Sequence, residues 1–172
     1  MVRIACVLVA VTVVGCGDSG TASGIDAANG TPHDAAGSRP DAAPLTDLVF
    51  CVSETTRYRA MVQKPALAHS AQLEAYANTG AMTDTLAMSA HKHFSDTNGG
   101  GISFAENECP SFLGWTVMGN VHDTIAACIA AFWSEGPGGG HYENMIGSYG
   151  TLGCGVYLDG TGGITITQDY GQ

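Results

Sequence analysis

The stretch that decides the fold of this chain is FWSEGPGGGHYENM, residues Phe132–Met145. Its first residues end an amphipathic segment that follows Asn120, and apolar side chains recur there at three- and four-residue steps from Val121 onward. The glycine and proline residues that come next break this pattern, and consecutive glycines are costly to order. We therefore expect a helix that ends near Glu135 and a turn of small residues that brings His141 back beside Glu135, with an open cleft between them.

Two strands are predicted after this stretch. Apolar residues alternate from Leu152 to Leu158 and again from Ile164 to Tyr170, and the glycine-rich turn Asp159–Gly163 separates the two runs. Helical patterns precede this hairpin and do not alternate with strands. The pattern therefore predicts an α+β domain.

The helical patterns lie in the first half of the domain. They predict a helix from Asp47 to about Val62, a second from Ala66 to Asn78 that Gly80 should end, and a shorter one from Asp84 to about Lys92. Glycine and proline interrupt the residues from Phe94 to Met118. We expect this last segment to be a loop.

Five short motifs follow one another along the domain. In chain order they are Phe104-Ala105-Glu106-Asn107, Phe132-Trp133-Ser134-Glu135, Gly140-His141-Tyr142-Glu143-Asn144-Met145-Ile146, Gly153-Cys154-Gly155-Val156-Tyr157 and Asp169-Tyr170-Gly171. They resemble motifs of the CAP superfamily, or SCP domain, which are G-E-N, a segment with tryptophan and glutamate, G-H-Y-x-x-M, G-C-G and a final Y-G. That superfamily includes cysteine-rich secretory proteins, antigen 5 and pathogenesis-related proteins of group 1. The resemblance covers roughly residues 47–171, with Ala105 where the family has glycine.

The resemblance implies an α-β-α sandwich with an open cleft lined by two histidines and two glutamates. Carried over by motif, the glutamates are Glu106 and Glu135, and the second histidine is His141. The first histidine should precede Glu106, and family members commonly carry it in the sequence F-S-H. Here the aligned residues are His93-Phe94-Ser95-Asp96, so we assign His93, with His91 as the second choice and Asp96 as the residue in the aligned place.

This set of side chains has the chemistry of a ligand site. Neutral imidazole nitrogens are preferred ligands of Zn²⁺ and similar divalent metals, so His93 and His141 are the predicted metal ligands. Glu106 and Glu135 could instead accept the second ring N–H of each histidine, or simply pair with histidines and backbone amides across the groove. The leading hypothesis is a non-enzymatic binding module for a divalent metal, zinc or another, or for a small ligand.

Two other functions stay open at this point. A metal-assisted hydrolase of peptide or ester bonds would use Glu106 or Glu135 as its general base. A lipid or sterol carrier would need an apolar groove. The chain has no G-x-S-x-G elbow, H-E-x-x-H motif or phosphate-binding loop, and members of the CAP superfamily do not share one accepted activity. No catalytic residue is therefore assigned.

The domain contains four cysteines, which can pair in three ways. An even number of cysteines in an exported chain predicts disulfides, and the sequence has no C-x-x-C spacing that would favour a zinc-thiolate site. We favour Cys109 with Cys128, which closes a short loop, and Cys51 with Cys154, which would join the first helix to the late sheet.

The beginning of the chain has the features of an export signal. The apolar run from Ile4 to Val14 would rise only about 16 Å as a helix, too short for a bilayer core of about 30 Å. Val13-Val14-Gly15-Cys16 resembles a bacterial lipobox, which predicts cleavage after residue 15 and lipidation of Cys16. Gly17 in the next position favours the outer membrane over the inner one, with secretion as the alternative.

Composition divides the rest of the chain in two. Residues 16–44 are poor in large apolar side chains and are predicted to be a disordered tether, followed by a CAP-like domain over residues 45–172. The domain carries twelve acidic and four basic side chains, so nucleic acid is excluded as a partner. The expected partners are a membrane, through the anchor alone, and an unidentified small ligand or extracellular protein.

Overall fold

The computed structural model describes residues 46–172. Its helices are α1 (Asp47–Met61), α2 (Ala71–Ala87), α3 (Lys92–Thr97), α4 (Val121–Ser134) and α5 (Gly140–Ile146). Its strands are β1 (Ala68–His69), β2 (Ala105–Cys109), β3 (Thr151–Leu158) and β4 (Ile164–Gly171), and two 3₁₀ turns span Asn98–Gly101 and Ser111–Leu113. The predicted signal peptide, the predicted lipidation of Cys16 and the predicted tether over residues 16–44 all lie outside the described residues.

The strands form one mixed sheet in the order β1-β3-β4-β2. Strand β4 pairs antiparallel with both β3 and β2, and β1 pairs parallel with β3. Helix α2 packs on one face of this sheet, whereas α1, α4 and α5 lie on the other. The three layers confirm the expected α-β-α sandwich. None of the helices that the structure describes is long and apolar enough to cross a membrane.

The face of the sheet that meets α1 and α4 carries the apolar core. Leu152, Cys154 and Ile166 are fully buried there, together with Ile125 and Ile129 of α4. Burial of this apolar surface is the dominant favourable contribution to folding. The core therefore fixes the position of α4 against the sheet, and with it the end of α4, where Glu135 lies.

The opposite face of the sheet allows α2 an unusually close approach. A Cβ atom at Gly153 would lie 2.1 Å from the backbone nitrogen of Glu74, and one at Gly155 would lie 2.2 Å from the carbonyl carbon of Ala77. Only glycine fits at these two positions. The Thr167 hydroxyl also donates a hydrogen bond of 2.9 Å to the Ala77 carbonyl, so polar groups take part in this layer.

Two disulfides join the layers, and both predicted pairings are confirmed. Cys51–Cys154 links α1 to β3, and Cys109–Cys128 links β2 to α4. All four cysteines are at least 98 % buried, so the bonds lie inside the core and not at its surface.

The predictions that depended on local signals are also confirmed. Helix α1 begins after Thr46, whose hydroxyl accepts a hydrogen bond from the Val49 amide, and α4 begins after Asn120, whose side chain accepts one from the Asp123 amide. Each cap satisfies an otherwise unpaired amide in the first turn of its helix. Strands β3 and β4 form the predicted hairpin.

The prediction that Gly80 ends the second helix is wrong. Helix α2 begins after Ser70 and continues to Ala87, with Gly80 buried in its interior. The remainder of α2 therefore takes the place of the separate helix expected from Asp84. A glycine inside a helix costs about 1 kcal/mol, and the packing of α2 over the length of the sheet outweighs this cost.

The prediction of a loop over Phe94–Met118 is also wrong, since this segment contains β2. The strand has the sequence AENEC, and all five of its residues are buried. The carboxylates of Glu106 and Glu108 alternate where apolar side chains normally mark a half-buried strand. The usual sequence signal for a strand is therefore missing.

Candidate functional site

A cleft lies along the edge of the sheet formed by β2. Glu106 belongs to β2, His91 directly precedes α3, His141 lies in the first turn of α5, and Glu135 follows α4. The ring centroids of His91 and His141 are 6.4 Å apart. The four side chains converge although they come from four different elements.

Helix α5 is attached to the edge of β2 by side-chain amides. The Asn144 amide donates to the Glu106 carbonyl at 3.1 Å and to the Asn107 side-chain oxygen at 2.9 Å. Asn107 in turn donates to the His141 carbonyl at 3.1 Å. These bonds set the position of His141 relative to β2.

Glu135 and His141 form one pair of the site. His141 Nδ1 lies 2.5 Å from Glu135 Oε1, and the His141 amide donates to Glu135 Oε2 at 3.0 Å. Partial burial opposes ionisation of Glu135, but its hydrogen bonds with the His141 side chain and backbone hold the pKa of this carboxyl below its ordinary value. A Cβ atom at Gly139 would lie 2.4 Å from Glu135 Cβ, so the glycine run permits this close turn.

His91, Glu106 and Glu108 form the other part of the site. His91 Nδ1 lies 2.9 Å from Glu106 Oε1, and the His91 amide donates to Glu108 Oε2 at 2.8 Å. One ligand atom from each of the three residues lies within 4.8 Å of the others. The hydrogen bond with Glu106 raises the pKa of His91, although burial opposes this effect.

The structure places His91, the second choice from the sequence, opposite His141. The His93 amide donates to Asp84 at 2.7 Å, and the His93 ring packs on Tyr76 with a centroid distance of 4.6 Å, away from His141. His91 has a left-handed backbone, with φ of 59°, immediately before α3. This turn sends the two side chains in different directions. Asp96 pairs with Lys92 on the surface and takes no part in the cleft.

Sequence reasoning missed three further carboxylates beside Glu106. They are Asp84, Glu108 and Asp169. Asp169 lies directly opposite Glu106 in the β2–β4 pairing, and both side chains face α2. The alternation of Glu106 and Glu108 along β2 was a usable signal, but Asp84 and Asp169 join the cluster through long-range packing.

These four carboxylates are buried and incompletely paired. Within residues 46–172, each has one buried oxygen without a hydrogen-bond partner, and their one ion-pair partner is His91. Burial and the charge of Glu106 raise the pKa of Asp169 to about 8, and burial raises the pKa of Glu108 to about 7 and also raises that of Asp84. A buried carboxylate is costly without a proton or a cation. The cluster is therefore suited to a positively charged ligand.

The three-layer fold and its cleft of paired histidines and glutamates define a CAP domain. The model of the cysteine-rich secretory protein family, CAP, matches residues 52–170, and the chain belongs to this family. No curated protein gives a significant match to the chain.

Proposed function

We propose that the cleft binds a divalent metal ion through His91, Glu106 and Glu108, and that the domain is a non-enzymatic binding module. The observation that carries this proposal is the convergence of three ligand atoms within 4.8 Å of one another. Glu106 and Glu108 each keep a buried oxygen with no partner among the described residues, as expected of carboxylates that require a cation. A mixed imidazole and carboxylate set suits zinc and similar metals.

His141 and Glu135 would complete the cleft on its other side. Glu135 holds Nδ1 of His141, so Nε2 is left to meet a ligand. His141 is 32 % exposed in its side chain, which leaves the ring accessible from solvent. In this proposal the pair orients a small molecule that enters the cleft beside the metal, whose chemistry would be to polarise an oxygen of that molecule.

Addition of Zn²⁺ to the metal-stripped protein is expected to raise its melting temperature by several degrees. A ligand at a hundred times its dissociation constant stabilises the folded state by about 2.7 kcal/mol, and differential scanning calorimetry measures the shift. His91→Ala should abolish the rise. His122→Ala is the matched control, since His122 is a half-exposed histidine at the start of α4 that pairs with Asp47 and not with the carboxylate cluster, and it should keep the rise. An equal zinc-dependent rise in melting temperature in both variants, or no rise in the wild type, would contradict the proposal.

We also propose that the domain is exported and attached to a membrane by a lipid on Cys16. The two disulfides are typical of proteins from oxidising compartments, and the lipobox-like sequence before Cys16 supports the anchor. Cys16→Ser is expected to move the protein from the membrane fraction to the soluble fraction. Metabolic labelling with a fatty acid provides an independent readout, and label retained by the Cys16→Ser variant would argue against this site.

A further inference from the structure

We propose that the Trp115 end of the cleft binds the apolar body of a small organic cation, an aryl- or alkylammonium compound. A ligand of this class would be the small molecule that the cleft binds. The proposal rests on the proposed function only because it takes the cleft to be a binding site. The metal is not required for it. The shape of this end of the cleft, its apolar walls and its charge all fit such a ligand.

A cavity of about 230 Å³ lies beside His141, and His91 is not among the residues that line it. Its apolar walls are Pro110, Leu113, Trp115, Ala131 and Phe132, and its polar residues are Glu108, Glu135 and His141. This volume is below the usual 300–1,000 Å³ of a site for a drug-sized molecule. The cavity therefore matches a single aromatic ring or a short alkyl chain.

The walls of the cavity are fixed by bonds within the fold. Cys109 lies in the wall and is joined by its disulfide to Cys128 of α4, the helix that supplies the opposite wall. The Trp115 carbonyl accepts a hydrogen bond of 3.1 Å from the Ile164 amide, which attaches the loop to β4. A rigid pocket loses little conformational entropy when a ligand binds.

Leu113 lies at the rim of this cavity with 72 % of its surface exposed. The next residue, Gly114, has a φ of 103°, and this left-handed turn carries the chain from the 3₁₀ turn to Trp115. A single exposed leucine is ordinary on a protein surface. Here it adjoins Trp115 and Phe132 in one concave site, which concentrates apolar surface where a ligand can cover it.

The charges around the cavity favour a cation. Glu135 is 34 % exposed in its side chain, and Glu108 also lines the cavity and has a buried oxygen without a partner among the described residues. No lysine or arginine lines this cavity in the described part of the chain. Trp115 also lines the cavity, and aromatic rings of this kind attract organic cations. A ligand with an apolar body and an ammonium group satisfies both the walls and the charge.

The test compares three probes of the same shape and different charge. The metal-stripped protein is titrated in EDTA at pH 8 with phenethylammonium, 2-phenylethanol and 3-phenylpropionate, and isothermal titration calorimetry gives the dissociation constants. We expect phenethylammonium to bind roughly three- to tenfold more tightly than the alcohol, and the carboxylate to bind most weakly. Glu135→Gln should remove the difference between the ammonium compound and the alcohol.

Leu113→Ser should weaken the binding of all three probes several-fold, because it removes apolar surface from the rim. Leu86→Ser is the matched control, since Leu86 is 69 % exposed on α2 and outside the cavity. This variant should bind all three probes as tightly as the wild type does. Equal affinities for the ammonium compound and the alcohol, no saturable binding, or unchanged binding by Leu113→Ser would each overturn the proposal. Stabilisation by zinc is measured separately, so failure of the metal proposal and failure of this one are distinguishable.

Discussion

Asp169→Asn is expected to raise the free energy of unfolding of the metal-stripped protein at pH 8, by an amount on the order of several kcal/mol. Asp169 is fully buried, and one of its carboxylate oxygens has no partner among the described residues. It lies opposite Glu106 in the sheet, so an ionised Asp169 faces a second carboxylate. Asparagine has nearly the same shape without the charge, and its amide is able to donate to a neighbouring carboxylate.

The same substitution should change how stability depends on pH. Burial raises the pKa of Asp169 in the folded state to about 8, whereas the ordinary value of 3.8 applies in the unfolded chain. Between these two values the folded state holds a proton that the unfolded state has lost. The free energy of unfolding therefore falls as pH rises from about 4 to about 8 and levels off above that range. In Asp169→Asn the part of this decline that comes from Asp169 should disappear, whereas the part that comes from the raised pKa values of Glu108 and Asp84 should remain.

Urea denaturation in EDTA at pH 5 and pH 8 measures this effect. The wild type should be more stable at pH 5, and the variant should show a smaller difference between the two pH values. Asp96→Asn is the control, because Asp96 is exposed and paired only with Lys92, and its effect should stay below about 1 kcal/mol. An unchanged pH dependence in Asp169→Asn would show that Asp169 is not the titrating group.

Removal of the Cys51–Cys154 disulfide by a double alanine substitution is expected to lower the free energy of unfolding by about 4–5 kcal/mol. The two cysteines are 103 residues apart, so the bond restricts a large part of the unfolded chain. Removal of Cys109–Cys128, with a separation of 19 residues, should cost about 3 kcal/mol.

The comparison between these two double variants is the informative measurement. Both remove a buried disulfide, so the loss of buried sulfur is similar in each, and loop length is the main difference between them. Urea denaturation under non-reducing conditions should give the variant without Cys51–Cys154 a free energy of unfolding about 1.5 kcal/mol lower than that of the variant without Cys109–Cys128. The opposite order would show that native packing around Cys109–Cys128, and not chain entropy, dominates.

The sequence predicted those parts of the fold that depend on neighbouring residues. Helix α4 has a capping asparagine and an apolar stripe, and the β3–β4 hairpin has strict alternation around a glycine turn. The turn that brings His141 to Glu135 also spans only six residues. In each case the structure follows from signals within one element or one turn.

The remainder of the site depends on contacts between distant residues. Asp169 meets Glu106 through strand pairing across 63 positions of the chain. The choice between His91 and His93 depends on the left-handed backbone of His91, whose amide is held by Glu108. Neither contact leaves a periodic or motif signal in the sequence, so the choice of His93 depended on the likeness of His93-Phe94-Ser95-Asp96 to the family's F-S-H sequence.

The edges of the sheet also affect how readily copies of the protein aggregate in concentrated solution. An edge strand with free amides and carbonyls is a template to which a second chain can add, and this is a common route to aggregation. At one edge β1 covers only Thr151 and Leu152 of β3, and further along the Asn78 side chain accepts a hydrogen bond from the Val156 amide. At the other edge Asn144 covers the Glu106 carbonyl, and buried carboxylates line β2. Side chains at both edges therefore occupy backbone groups that a second copy would need for strand addition.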